Sequence, residues 1–128
     1  MQLGSRPVIV IGAGCTGARD LMPQIVDLGI PVITSWQAMD LVDNFHQSYI
    51  GRCGIYGQRF ANKVLYNSDH IISIGCRWSV WMAGYGKFQR EGKLTLVDID
   101  DGELQRFPDA ERICEDAARF IPRFIDQL

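Results

Sequence analysis

Three short stretches of this chain carry residue types that can contact a ligand, and each directly follows an apolar run. The first is Gly12-Ala13-Gly14-Cys15-Thr16-Gly17, whose glycines fall at G-x-G-x-x-G spacing. Small residues there permit a tight turn and let backbone N–H groups touch a phosphate or a flat ring. The dinucleotide form of this motif also needs an acid about twenty residues on, to hold a ribose hydroxyl. Thr34-Ser35 stands in that place, so an NAD-type oxidoreductase site is an alternative, and a strand-to-helix turn tightened by glycines is the plainer reading. The second stretch is Gly75-Cys76-Arg77-Trp78. The planar guanidinium of Arg77 suits a phosphate or carboxylate, or it pairs with Asp98 or Asp100. The third is Val97-Asp98-Ile99-Asp100. Acids leaving a strand accept hydrogen bonds from ribose hydroxyls or cap the next turn, and Asp100 and Asp101 are placed to cap a helical segment from Gly102 to Phe107.

Groups able to do covalent or acid–base chemistry are scarce. His46 and His70 are the only histidines, and neither has a Cys, Asp or Glu at metal-ligand spacing. His70 reads as structural and His46 as a solvent-facing loop residue. There is no G-x-S-x-G elbow and no phosphate-loop lysine. A reactive cysteine needs a cationic neighbour; Cys53 beside Arg52 is the best candidate, against the commoner reading of a plain loop thiol. No catalytic residue and no metal ligand is assigned. Trp36, Tyr56, Trp78, Trp81, Tyr85 and Phe88 crowd segments that read as loops. They line a site for a flat ligand or form an interaction surface.

The elements that must position these residues alternate in period. Pro7 to Ile11 is a short, wholly apolar, β-branched run, the pattern of a strand buried on both faces of a parallel sheet. After Thr16, a candidate N-cap, Ala18, Leu21, Met22, Ile25, Val26 and Leu28 recur at helical spacing up to Gly29. Pro23 must lie early in that helix or kink it. Ile30 to Thr34 is a second strand. Trp36 to Phe45 is compatible with a short helix, and the Gly-punctuated Ser48 to Tyr56 reads as a loop. Phe60, Ala61, Val64 and Leu65 are again helical. Asp69 to Gly75 and Leu94 to Ile99 read as strands, with Arg112 to Cys114 a further one, and Ala117 to Leu128 as a closing amphipathic helix despite Pro122. Strands alternating with helices at this pitch predict an α/β fold, a three-layer, doubly wound, mostly parallel sheet of five or six strands of Rossmann-like type.

Length and charge narrow the function. The chain has 128 residues, 47% of them hydrophobic and 22% charged, with a formal charge of -2; it is one domain, and no basic footprint points to nucleic acid or an anionic membrane. No apolar run reaches the ~18 residues that span a bilayer, and the first residues lack a basic and apolar leader, the pattern of a cytoplasmic protein. Cys15, Cys53, Cys76 and Cys114 are separated by 38, 23 and 38 residues, with no C-x-x-C pair, and read as reduced and buried. Residues 1–5, ending Gly4-Ser5, resemble a cloning remnant, so the domain is expected over residues 6–128.

Taken in order, Arg6-Pro7-Val8-Ile9-Val10-Ile11-Gly12-Ala13-Gly14, Leu28-Gly29-Ile30-Pro31-Val32, Gly54-Ile55-Tyr56-Gly57, Ala61-Asn62, Ser68-Asp69, Gly75-Cys76-Arg77-Trp78 and Val97-Asp98-Ile99-Asp100 resemble the central domain of thiamine-diphosphate-dependent enzymes of the acetolactate synthase group. The resemblance implies a three-domain parent, with thiamine diphosphate and magnesium held by the missing N- and C-terminal domains across the dimer interface of a homo-oligomer. The parent would be a lyase or transferase acting on a 2-oxo acid or similar donor, and this chain alone would be inactive. In such enzymes the central domain holds FAD along its strand ends, or an adenosine nucleotide such as ADP, or nothing. Carried over by position, the ligand-contacting residues would be Gly12, Ala13 and Gly14 in the glycine turn, Thr34 and Ser35 after the second strand, and Gly54 and Gly57 of a Gly-Met-His-Gly loop. Gly75 and Arg77 would match a Gly-Ala-Arg-Phe strand end, and Asp98 and Asp100 an Asp-Ile-Asp. Where flavin-binding members continue Arg-Phe-Asp-Asp-Arg-Val-Thr-Gly, this chain has Arg77-Trp78-Ser79-Val80-Trp81-Met82-Ala83-Gly84, and Tyr56 replaces the loop histidine. Two acids and an arginine are thereby exchanged for apolar, aromatic or small residues.

Overall fold

A computed structural model describes residues 1–84 and 87–128. Six strands form one sheet: β1 (Pro7–Ile11), β2 (Val32–Thr34), β3 (Tyr49–Arg52), β4 (His70–Ile74), β5 (Lys93–Asp98) and β6 (Glu111–Cys114). Their order is β3-β2-β1-β4-β5-β6 and every pairing is parallel. This is the doubly wound arrangement, in which the chain turns from one direction across the sheet to the other between β1 and β4.

The period-two alternation of the central strands divides the core into two layers. Ile9 and Ile11 of β1, with Ile72 and Ile74 of β4, face a 3-10 helix (Ala13–Leu21), α1 (Met22–Val26) and α5 (Ala117–Asp126). Val8, Val10 and Ile71 face the other way, against α2 (Arg59–Asn67) and α4 (Asp101–Gln105). Ile9, Ile11, Ile71, Ile72 and Ile74 are wholly inaccessible. At roughly 1.5–3 kcal/mol for each buried aliphatic side chain, β1 and β4 are the apolar axis of the domain.

Several local expectations are corrected. The first helix starts at Ala13, before Thr16. Thr16 is therefore no N-cap; its hydroxyl donates to Ala13 O at 2.7 Å. The segment is tightly wound 3-10 helix, kinks at Ala18, and becomes α-helix only from Met22, with Pro23 in its first turn, where a missing N–H does no harm. Trp36 to Phe45 yields only a 3-10 turn at Trp36–Ala38. Ser48 to Tyr56 is more than a loop, because Tyr49–Arg52 pairs with β2 as an edge strand. A register shift accompanies Gly51, so its glycines mark an irregular strand. Cys114 is exposed, unlike the other three cysteines, since it ends the edge strand β6. His46 is half-buried and bonded to Asp27 Oδ1 at 3.1 Å.

The first residues are engaged with the body of the domain. The Asp69 carboxylate accepts from Ser5 N, Ser5 Oγ and Arg6 N at 2.8–2.9 Å. Desolvation alone would raise the Asp69 pKa, but these bonds and the Arg6 charge more than offset it and hold the carboxyl below its ordinary value. His70 is buried where β4 begins, with Nε2 against Thr95 Oγ1 at 2.9 Å and Nδ1 unpartnered.

Burial, then the nearby charge of Lys93, lowers the His70 pKa from its ordinary 6.5. The unfolded chain thus takes up a proton that the folded chain resists, so stability is whole above pH 6.5 and declines as pH falls below it toward the lowered folded value. Urea unfolding between about pH 7.5 and about pH 5 is expected to show this decline, and His70→Asn to flatten it; an unchanged slope in the variant would assign the decline to other groups.

Candidate functional site

The carboxyl ends of β1 and β4 approach backbone to backbone, and glycine makes the approach possible. Gly12 N donates to Ile74 O, and Gly14 N to Gly75 O, each at 3.0 Å. A side chain on Gly12 would collide with the Gly75 carbonyl oxygen, and one on Gly14 would lie 2.8 Å from Gly75 Cα. Gly75 itself has φ +67°, in the left-handed region, and a Cβ there would meet Gly14 Cα at 2.8 Å. This contact forms the floor of a cleft of about 820 Å³, within the range of small-molecule and cofactor sites.

The ends of several strands feed that cleft. Ala13 and Gly14 follow β1, Ser35 and Trp36 follow β2, and Cys53 and Tyr56 follow β3; Gly75 and Arg77 follow β4, and Asp98 to Asp100 end β5. Arg77 lies exposed, Nη2 to Asp100 Oδ2 at 3.0 Å. The two readings of Arg77 thus coincide, since it lines the crevice and pairs with Asp100. Asp100 also caps α4, its Oδ1 accepting from Gly102 N at 2.9 Å, while Asp98 Oδ1 accepts from Asp100 N. Ser35 lines the cleft, but its Oγ is shielded from solvent and has no partner among the described residues.

The backbone leading to Arg77 is clamped from beneath. Trp78 N donates to Glu103 Oε1 at 2.8 Å, and Arg106 bridges both Glu103 carboxylate oxygens and Trp78 O. Glu103 is 6% exposed; a buried carboxylate so completely bonded is an anchor, and losing one partner would leave an uncompensated charge. The Trp78 ring is buried too, stacked on Phe88 with centroids 4.3 Å apart, its Nε1 donating to Ser73 Oγ.

Of the sequence-derived candidates, Ala13, Gly14, Ser35, Gly75, Arg77, Asp98 and Asp100 line the cleft. Gly12, Thr34, Gly54 and Gly57 do not line it. Thr34 is buried with its hydroxyl against Tyr49 Oη at 2.9 Å. Gly54, at φ +111°, is gripped by Asn62, which accepts from Gly54 N and donates to Gly54 O. A Cβ on Gly54 would strike Trp81 O, and Ile55 N donates to that same oxygen at 2.9 Å. Gly54 and Gly57 therefore hold Tyr56 against Trp81, whose rings stack at 5.7 Å and 14°.

The aromatic group divides in two. Trp36, Tyr56 and Trp81 stay exposed on the cleft; Trp78 joins the core. Tyr85 lies outside the described residues. Sequence reasoning missed Gln37 and Ser79, which also line the cleft. Ser79 does have a signal, a Ser directly before the short apolar helix α3 (Val80–Ala83), whereas Gln37 has none.

Cys53 does not meet the requirement for a nucleophile. Desolvation pushes its pKa up to about 12, and that of Cys15 likewise to about 12; burial raises Cys76 as well. Among the described residues, no three His, Cys, Asp or Glu side chains converge as a metal site, and no helix is long and apolar enough to cross a membrane.

Residues 2–124 match the family model described as "Thiamine pyrophosphate enzyme, central domain". The chain belongs to that family. It is 34% identical to a probable acetolactate synthase large subunit of Methanococcus aeolicus, over 96% of this chain and 21% of that protein. It is 29% identical to the acetolactate synthase large subunit of Corynebacterium glutamicum, over 94% and 20% respectively. The chain thus spans about a fifth of the length of these relatives. The fold matches that of a putative thiamin diphosphate-dependent enzyme from Mycobacterium smegmatis with a TM-score of 0.78, at 17% identity, over 96% of this chain and 25% of that one.

Two measurements check the site's construction. Gly12→Ala is expected to destabilise the domain by about 1–3 kcal/mol in denaturant unfolding, the range for forcing atoms into a packed contact; an unchanged midpoint would mean that the two strand ends separate freely. Titration of the native chain with a thiol reagent near neutral pH should modify Cys114 alone, with the other three reacting only after unfolding; rapid labelling of Cys53 would restore it as a nucleophile.

Proposed function

We propose that residues 6–128 are the central, non-catalytic domain of a thiamine-diphosphate-dependent transferase or lyase that acts on a 2-oxo acid or similar donor, and that its cleft holds an adenosine-containing ligand. The observation that carries the ligand part is the cleft itself. It lies across the topological switch between β1 and β4, where open parallel sheets bind their ligands. Asp98 and Asp100 are acceptors suited to ribose hydroxyls, and Trp36, Tyr56 and Trp81 offer faces for a ring. Among the described residues, a diphosphate finds Arg77 as the one cation of the lining. The ring and ribose of ADP or FAD are thus better matched than the charged link between phosphates, and the smaller ADP is the preferred ligand.

The parent's thiamine diphosphate and magnesium would be held by N- and C-terminal domains, the partners of this chain in a cytoplasmic homo-oligomer. Bound there, thiamine diphosphate supplies the carbanion chemistry that amino-acid side chains lack. The roughly fivefold greater length of the curated relatives supports this division of labour.

Isothermal titration of the purified chain with ADP and with FAD tests the proposal. One site per chain for ADP is expected, with weaker or no binding of FAD, and no release of carbon dioxide from pyruvate in the presence of thiamine diphosphate and magnesium. Failure of both ligands to bind at millimolar concentration would overturn the ligand assignment; turnover by this chain alone would overturn its non-catalytic role.

A further inference from the structure

Resting on the adenosine-ligand proposal, we infer that stacking on Trp36 and Trp81 carries recognition in this cleft, and that it accepts an uncharged nucleoside nearly as well as the corresponding diphosphate. Three exposed rings on one small cleft are the first observation: Trp36 is 58%, Tyr56 65% and Trp81 59% exposed. Each is held in place. The Arg52 guanidinium lies 4.9 Å from the centre of the Trp36 ring, a cation–π contact. Trp81 stacks on Tyr56, and its carbonyl takes the Ile55 N–H. Rings already ordered lose little freedom when a ligand stacks on them, which favours flat ligands.

Charge is the second observation. Among the described residues, the only carboxylates and guanidinium of the lining are Asp98, Asp100 and Arg77, a formal sum of -1. Arg77 is already paired with Asp100 at 3.0 Å. Arg52 touches Trp36 and does not belong to the lining. A diphosphate therefore enters a cleft of its own sign, and the gain from Arg77 is offset by the neighbouring acids. A ribose hydroxyl meets no such penalty and has carboxylate acceptors to bond.

The test compares adenosine with ADP by titration, at low and high salt. Their dissociation constants are expected to agree within about threefold and to change little between about 0.05 and about 0.5 M salt. Trp36→Ala and Trp81→Ala should each weaken both ligands by about tenfold, in line with a lost base–aromatic stack. Both rings are exposed, and circular dichroism checks that the variants fold. Asp100→Asn keeps the helix cap and releases Arg77; it should shift the ratio of ADP to adenosine affinity about fivefold in favour of ADP. ADP binding more than about tenfold tighter than adenosine, or full affinity in both tryptophan variants, would overturn this inference and leave the adenosine-ligand proposal standing. Binding of neither compound would overturn both.

Discussion

The close approach of two glycine-bearing strand ends governs the arrangement of everything above the sheet. Gly12 and Gly14 on one side and Gly75 on the other bring the ends of β1 and β4 into backbone contact, and the chain's change of direction across the sheet happens at that same place. Any side chain there would wedge the central strands apart. Because these strands carry buried isoleucines and valines of both layers, the wedge would be felt through the whole core. The glycines of the first motif thus serve packing first. The cleft is a consequence, left open because nothing with a side chain can fill the seam.

Around that floor, anchoring residues and contacting residues are distinct sets. Glu103 and Arg106 grip the Trp78 backbone from α4, and Asn62 grips Gly54 from α2. None of these anchors lines the cleft. They fix where Arg77, Tyr56 and Trp81 leave the body of the domain, which is how a rigid α/β layer presents groups on otherwise irregular segments. The clamp on Trp78 unites a buried carboxylate, a guanidinium and both backbone atoms of one residue. It is more sensitive to losing a single member than the exposed Arg77–Asp100 pair above it.

The alternation of period made most of the sheet legible. β1 is apolar on both faces and β4 and β5 are buried on both faces through most of their length, and they stand out because a strand covered by helices on both sides needs such a composition. The edges were harder. β3 carries Gly51 and pairs irregularly, so its residues resemble a loop; it is a strand because β2 offers it a hydrogen-bonding edge. The segment after β1 shows helical spacing in its apolar residues, but the kink at Ala18 and the 3-10 winding before Pro23 come from its packing against α5 and the sheet.

By itself, the amino-acid order determined the α/β class, the family, and the strand ends at which cleft-lining residues stand, since these depend on local period and on short motifs. It could not separate Trp78 from Trp81, two aromatics three residues apart. One lies in the core over Ser73 and the other on the cleft over Tyr56, because Glu103 and Arg106 grip the Trp78 backbone while the Trp81 carbonyl accepts from Ile55 N beside the Gly54 that Asn62 holds. Nor could it distinguish glycines that line a site from glycines that let two backbones meet. That distinction rests on what lies across the gap from each missing Cβ, and only the tertiary structure brings those atoms together.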